Sequence, residues 1–386
     1  MRTHRIAVLT SYPPRRCGIA SFSAALCASM GVAAGLAPSI IAVEEPQQTR
    51  SYGREVVHVL RQDDSHAYRR LSGLLGCAFD TMIVQHEFGL FGGNAGDYVL
   101  NLLKDWRGKT VVTLHTTPSN PTERLRQVTR QLCSLNSTVV VLSNCARNAL
   151  TTMYSIDDAT IRWIPHGTVR IEPSRTNAGS AKTRLGVTRR PLLLTAGFIG
   201  PNKGIEYALD ALVKIARQRP DVLYAIVGQS HPRDEIARAY RVQLEAQVRD
   251  LGLSSNVKFV PRFLGEQELI DWLIAADVCL LPYVDPEQVS SGLLARCLGL
   301  GRAIVATAFP YARELLRDEI GVVVPMRNAQ ALAGAVESLL ASPERIAAAQ
   351  RRAFEASAAM AWDSVARMYL QLAGQREISH DGNLSR

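Results

Sequence analysis

One stretch, Val257 to Thr307, limits what this chain can fold into more than any other. It reads VKFVPRFLGEQELIDWLIAADVCLLPY and then VDPEQVSSGLLARCLGLGRAIVAT. A short β-branched run, Val257 to Val260, leads into a helical pattern with Leu269, Leu273 and Ala276 on one face. The apolar run VCLL follows and stops at Pro282-Tyr283. A polar loop then opens a second helix at Ser290-Ser291-Gly292, which ends at Gly299 or Gly301 before the strand AIVAT. Strand and helix alternating at this spacing predict βαβ units and a parallel sheet. Ligands of such sheets lie beyond the carboxyl ends of the strands. The loop from Pro282 to Gly292 leaves one of those ends and enters a helix N-terminus, which suits an anion.

Other pieces fall in a consistent order along the chain. They are Cys17-Gly18-Ile19, Leu114-His115-Thr116, Pro165-His166-Gly167, Gly197 through Lys203-Gly204, Ile226-Val227-Gly228, Asp277 to Pro282, Gly301 to Ala306, and Trp362. Together with Val257 to Thr307 this set resembles the retaining nucleotide-sugar glycosyltransferases of the GT-B fold, family 4 type, over about residues 4 to 372. The resemblance implies two Rossmann-like, doubly wound parallel-sheet α/β domains facing a central cleft. It implies hexose transfer from a nucleotide diphosphate sugar, of UDP or GDP type, to a hydroxyl of a carbohydrate or lipid acceptor.

Composition agrees with a globular α/β protein and excludes several classes. The 386 residues are 47% hydrophobic and 20% charged. No apolar run approaches the roughly 20 residues of a membrane span. The opening MRTHRIAVLTSYPP has an apolar core of only Ile6 to Leu9, and reads as a first buried strand, not a secretory signal. Seven scattered cysteines without C-x-x-C spacing point to a reducing, cytoplasmic setting. The net charge of +9 is diffuse and has no basic run with interleaved aromatics, so nucleic acid is not expected as a partner. Arg126 and Arg130, one turn apart, form a small basic face. It reads either as a solvated helix face or as a weak peripheral contact with an anionic inner membrane face.

The pattern predicts a first domain over 1–168 and a polar interdomain linker over 169–190. A nucleotide-sugar domain over 191–358, a helix over 359–374 and a disordered tail over 375–386 follow. The family resemblance implies that the helix crosses back onto the first domain. Strands are expected at Arg5 to Leu9, Ile40 to Val43, Val56 to Leu60, Thr81 to Gln85, Thr110 to Leu114, Thr138 to Leu142 and Arg162 to Ile164. A second series begins at Pro191 to Thr195.

Glycosyl transfer needs a stabilised diphosphate leaving group and an acceptor hydroxyl that can lose a proton. Asp63-Asp64 and Asp157-Asp158 lack the Asp-x-Asp spacing of a metal site and read as loop or cap residues. No metal and no further cofactor are expected. Lys203, in a tight Pro-Gly loop before a helix, is placed to pair with a phosphate, or is a surface lysine at a helix start. His86-Glu87, at a strand end before Phe88-Gly89-Leu90-Phe91-Gly92-Gly93, looks like part of an acceptor pocket. Glu87 is the one carboxylate nominated as base, against a structural reading in which it caps a helix.

By resemblance, Gly18 brings backbone N–H groups to the diphosphate, and His115 contacts the transferring sugar. His166 lines the acceptor side. Gly197, Gly228, Arg262, Ser291 and Gly292 belong to the donor loops. The chain also departs from the family. Phe198 stands where an arginine usually follows Gly197. Counting back from Gly301, the paired glutamates fall at Gln288 and Arg296; another register puts them at Glu287 and Ala295. Gln288 can still hydrogen-bond a sugar hydroxyl. Arg296 is expected either to restore the cation lost at 198 or to be a helix-surface residue. The lost carboxylates keep open a GT-B scaffold that binds without turnover, or a donor altered by a further phosphate.

Overall fold

The computed structural model describes residues 4–76, 78–135, 137–230 and 234–374. The tail after 374 and His231, part of the loop after Gly228, lie outside the described residues. The chain divides into two compact units, Met1–Gly167 with Met360–Arg386, and Thr168–Ala359.

The first unit alternates strand and helix. In order these are β1 (Ile6–Thr10), α1 (Gly18–Ala34), β2 (Ser39–Glu44), β3 (Val56–Arg61), α2 (Ser65–Leu75) and β4 (Thr81–His86). Then come α3 (Tyr98–Leu103), β5 (Lys109–Leu114), α4 (Glu123–Ser134), β6 (Ser137–Val141), α5 (Asn144–Met153) and β7 (Ile161–Trp163). The seven-stranded sheet has the order β3-β2-β1-β4-β5-β6-β7, with every pairing parallel. β1 and β4 are buried along their whole length, as strands of a parallel sheet covered on both faces are, and in β4 that burial includes the polar Thr81, Gln85 and His86. Strand order reverses between β1 and β4, which sets their carboxyl ends at a topological switch point.

Helix starts follow local capping chemistry. Thr122 and Ser143 accept from the backbone N–H of Leu125 and Ala146 and so cap α4 and α5. At α1 the cap is Cys17, whose Sγ accepts from Ala20 N at 3.3 Å. α4 therefore begins one residue past its cap.

The second unit opens with α6 (Ala178–Arg184) inside the stretch read as a polar connection. It continues through β8 (Leu192–Ala196), α7 (Ile205–Gln218), β9 (Leu223–Val227), α8 (Glu235–Asp250), β10 (Val257–Val260), α9 (Glu266–Ala275) and β11 (Val278–Leu281). After these come α10 (Gly292–Gly299), β12 (Ile304–Thr307), α11 (Pro310–Leu315), β13 (Val322–Val324), α12 (Ala329–Leu340) and α13 (Pro343–Ala356). Its parallel sheet runs β10-β9-β8-β11-β12-β13, with the reversal between β8 and β11. α6 is held by charge: Lys182 Nζ lies 2.6 Å from Asp277, and Arg184 Nη2 lies 2.7 Å from Asp271. Asp277 also accepts from Leu192 N at 2.7 Å, so one carboxylate ties α6 to the start of β8.

The last helix, α14 (Trp362–Ala373), belongs to the first unit. Val365, Ala366, Tyr369, Leu370 and Ala373 are buried with Leu26 and Met30 of α1 and with Ile83, Val111 and Val140 of the sheet. The Tyr369 hydroxyl lies 2.8 Å from Thr113 Oγ1, and Thr81 Oγ1 donates to Ala373 O at 3.1 Å. The buried Tyr369 ring thus fixes α14 to β5, and its hydroxyl keeps a partner as burial requires. Tyr369→Ala is expected to destabilise the first unit by about 3–5 kcal/mol, read from urea unfolding. An unchanged midpoint would remove α14 from that unit's core.

Candidate functional site

At the carboxyl edge of the second sheet, three glycines let backbones touch. Gly197 leaves β8 at φ 112° and Gly228 leaves β9 at φ 134°. A Cβ on Gly228 would stand 1.9 Å from Gly197 O, so no other residue fits there without moving the chain. Gly204 has φ 58°, and a Cβ there would meet Pro282 O at 2.2 Å. Val284 N donates to Asn202 O at 3.0 Å. The loops leaving β8 and β11, the strands on either side of the reversal, are therefore joined backbone to backbone.

This junction positions Lys203. Its ammonium sits 3.9 Å from the centroid of the Tyr283 ring. Tyr283 is buried and stacked on Phe309, with centroids 5.0 Å apart and planes 24° apart. The cation thus rests on an aromatic face, and no described carboxylate pairs with it. Nearby, Ser291 caps α10 by accepting from Leu294 N at 3.2 Å, so the first turn beginning at Gly292 presents backbone N–H groups.

The other cationic residues expected here are already engaged. Arg296 makes a two-point pair with Glu266, Nη2 to Oε2 at 2.8 Å and Nε to Oε1 at 3.2 Å. It therefore supplies no unbalanced positive charge in place of the arginine missing at Phe198. Arg262 is exposed and pairs with both oxygens of Glu268, while its backbone N–H donates to Val260 O at 2.9 Å. The Gln288 amide donates to Ser290 O, turned onto its own loop. Phe198 lies against Phe263, centroids 6.2 Å apart. Tyr283, Phe309 and Glu266 belong to this edge as well and were not singled out from the sequence. Pro282-Tyr283 at a strand end was the one available signal for them.

In the first unit, β4 ends at His86, Glu87 follows, and His115 follows β5. His115 N donates to His86 O at 3.1 Å, which brings the two strand ends together. His115 Nε2 lies 2.8 Å from Gln85 Oε1, a carbonyl acceptor, so Nε2 carries the proton. His166 Nδ1 likewise donates to Gly167 O at 2.8 Å. Phe22, one turn after Gly18 on α1, meets the rings of His115, His166 and Trp362 edge to face at 5.0, 5.0 and 5.1 Å. A Cβ on Gly18 would meet nothing within 4 Å, so its missing side chain leaves open space at the start of α1.

Glu87 caps its own loop and not a helix. Oε1 accepts from Phe88 N at 3.0 Å, and Oε2 accepts from Thr116 Oγ1. Burial raises its pKa above the ordinary carboxylate value, which these two bonds only partly offset. His86 is fully buried, stacked on Phe91 at 5.6 Å and edge-on to Phe88 at 5.1 Å. Neither of its ring nitrogens has a hydrogen-bond partner among the described residues. The structure thus collects His86, Glu87, Phe88, His115 and His166 with Phe22, Thr116 and Trp362. Among the described residues no group of three His, Cys, Asp or Glu side chains could hold a metal ion.

Desolvation pushes the pKa of both His86 and His115 down to about 3. Both are therefore neutral in the fold at ordinary pH, whereas the unfolded chain takes up protons near pH 6.5. Stability is fully present above that value and falls as pH drops toward 3. His86→Leu should flatten the stability-pH slope between pH 6 and 4 by one proton, about 1.4 kcal/mol per pH unit. An unchanged slope would mean that His86 is solvated in the native state.

Residues 190–342 match the family model described as glycosyl transferases group 1. The α-D-kanosaminyltransferase of Streptomyces kanamyceticus is 28% identical over 198 residues, 50% of this chain and 48% of the relative. A GDP-mannose-dependent α-(1-6)-phosphatidylinositol monomannoside mannosyltransferase of Mycolicibacterium smegmatis is 29% identical over 201 residues, 49% of this chain and 50% of the relative. The alignments thus span about half the length of these curated relatives. Among solved structures, a Rickettsia africae glycosyltransferase superposes with a TM-score of 0.77 at 16% identity, covering 96% of this chain and 98% of its own. Anabaena HepE in complex with UDP and glucose gives 0.77 at 16%, covering 96% and 100%. No described helix is long and apolar enough to cross a membrane. The chain is a two-sheet protein of the GT-B glycosyltransferase fold whose residues 190–342 match the model of glycosyl transferases group 1.

Proposed function

We propose that the chain is a glycosyltransferase that moves a hexose from a nucleoside diphosphate sugar to a hydroxyl of a carbohydrate or lipid, with retention and without a required metal. The observation that carries this reading is Lys203, an ammonium held on the Tyr283 face at the switch point of the second sheet. Departure of the diphosphate concentrates negative charge on its oxygens. An ammonium and the N–H groups at the start of α10 stabilise that charge most when solvent is excluded. Two matched proteins carry the ligand class in their names, GDP-mannose in one and UDP with glucose in the other.

In this reading the first unit serves the acceptor. Glu87 and neutral His115 present hydrogen-bonding atoms at adjoining strand ends, and Phe88 and Trp362 offer apolar faces to a sugar ring. Front-face attack, in which the leaving phosphate itself takes the acceptor proton, agrees with a donor edge where no described carboxylate pairs with Lys203. A second reading, a scaffold that binds without turnover, is favoured by Gln288 turned onto Ser290 and by the Arg296–Glu266 pair.

A screen of UDP-, GDP-, ADP- and dTDP-sugars by thermal shift and nucleotide release separates the two. One nucleotide should stabilise the protein, and its release should persist in EDTA. Lys203→Gln should weaken that nucleotide's binding by about tenfold or more, as expected for a lost charge-assisted contact. Binding with no turnover over a broad acceptor pool would leave the scaffold reading standing. Release abolished by EDTA and restored by a divalent cation would sink the metal-independent mechanism.

A further inference from the structure

Gly204 opens α7 and has no side chain with which to cap it. The first N–H groups of a helix lack partners inside it and must find them elsewhere. For Ile205 the partner comes from another helix, where Tyr240 Oη of α8 accepts its N–H at 2.9 Å. The same hydroxyl donates its own hydrogen to Glu206 Oε2. Tyr240 is buried, and that burial, with the bond to Glu206, raises its pKa above the ordinary phenol value. The hydroxyl therefore keeps its hydrogen and acts as a donor to the carboxylate. Two turns further along α8, Gln247 Nε2 donates to Glu206 O at 3.1 Å and to Asp210 Oδ1 at 2.8 Å. α8 thus holds the first turn of α7 by main chain and side chain alike.

That turn adjoins Lys203. Lys203 N donates to Gly200 O at 2.9 Å and Gly204 N donates to Pro201 O at 3.2 Å, which closes the loop just before α7. Glu206 follows Lys203 by three residues and is the carboxylate nearest to it in sequence. Side chains three residues apart at a helix start can reach each other. The buried Tyr224 hydroxyl feels the charge of both Tyr283 and Glu206, which puts the carboxylate in the neighbourhood of the ring that carries the ammonium. Even so, no described carboxylate pairs with Lys203. Glu206 is turned onto Tyr240 instead. Were it turned onto Lys203, an incoming phosphate would first have to displace it.

We propose that Tyr240 is a positioning residue for the anion-binding ammonium: its hydroxyl holds the Glu206 carboxylate on α8, so that Lys203 meets a diphosphate unpaired. The inference rests on the proposed use of a nucleoside diphosphate sugar. It gives a task to a residue of α8 that touches no ligand, and it makes Glu206 an internal competitor that the fold keeps away from the site.

Calorimetric titration of the full chain with UDP and with GDP tests it. Tyr240→Phe should weaken the diphosphate that the native protein binds by about tenfold or more, the range of a lost charge-assisted contact. The ring and its packing remain in that variant, and a melting curve checks that it is folded. The double variant Tyr240→Phe with Glu206→Gln should return to within about twofold of the native affinity, because an amide sets no negative charge against Lys203. Glu206→Gln alone should also stay within about twofold, because the native carboxylate is already held away. A hydroxyl that only caps α7 would give a loss that the second substitution does not restore, and that result overturns the proposal. Native-like affinity in Tyr240→Phe overturns it too, as does an equal gain from Glu206→Gln with and without Tyr240, which would mean a charge acting at a distance. Each of these leaves the proposed function intact. Failure of the native protein to bind either diphosphate removes both.

Discussion

The close approach of the loops leaving β8 and β11 is the constraint on which the second unit's chemistry depends. Pro282 O occupies the space that a side chain at 204 would need, and Asn202 O receives Val284 N. Because those backbones are joined, Lys203 projects over Tyr283 instead of into solvent. Tyr283 is in turn backed by Phe309, and its carbonyl accepts from Thr307 Oγ1 at the end of β12. The position of one ammonium is thereby set by three consecutive strand ends. Resting on a π face, it is paired with no carboxylate among the described residues, which an incoming anion would otherwise have to displace.

The first unit achieves a different electrostatic state. Its strand ends gather imidazoles and a carboxylate in surroundings that disfavour ionisation of all of them. The groups that shift His115 besides burial are His166 and His86, themselves histidines. The cluster thus keeps the two imidazoles of His86 and His115 uncharged at ordinary pH. His86 bears the cost of that state, with two buried nitrogens that have no hydrogen-bond partner among the described residues.

Much of the architecture was legible because parallel strands are covered on both faces. IAVL and VCLL read as unbroken apolar runs and are buried throughout. α13 escaped notice because it is polar and alanine-rich, with only Ala349 and Ala353 buried along its length. α6 escaped because charge, not an apolar face, holds it, and its partner Asp277 lies 95 residues further along. β13 is three residues long and forms an edge. At the site, the glycine loops and Lys203 stood out by their place after strands. That Arg296 would be met by Glu266 could not be read, because the pairing joins two helices across 30 residues of sequence.

The packing of α14 also orders the birth of the molecule. Val8, Leu26, Ile83 and Val140 emerge from the ribosome early, yet they share a core with Val365 and Tyr369. The whole of Thr168–Ala359 must be synthesised in between. At ordinary translation rates that interval is roughly 10–40 s. Through it the first sheet waits with one apolar face incomplete, while the second unit already has every residue it needs to fold. The unit made first is thus the unit finished last.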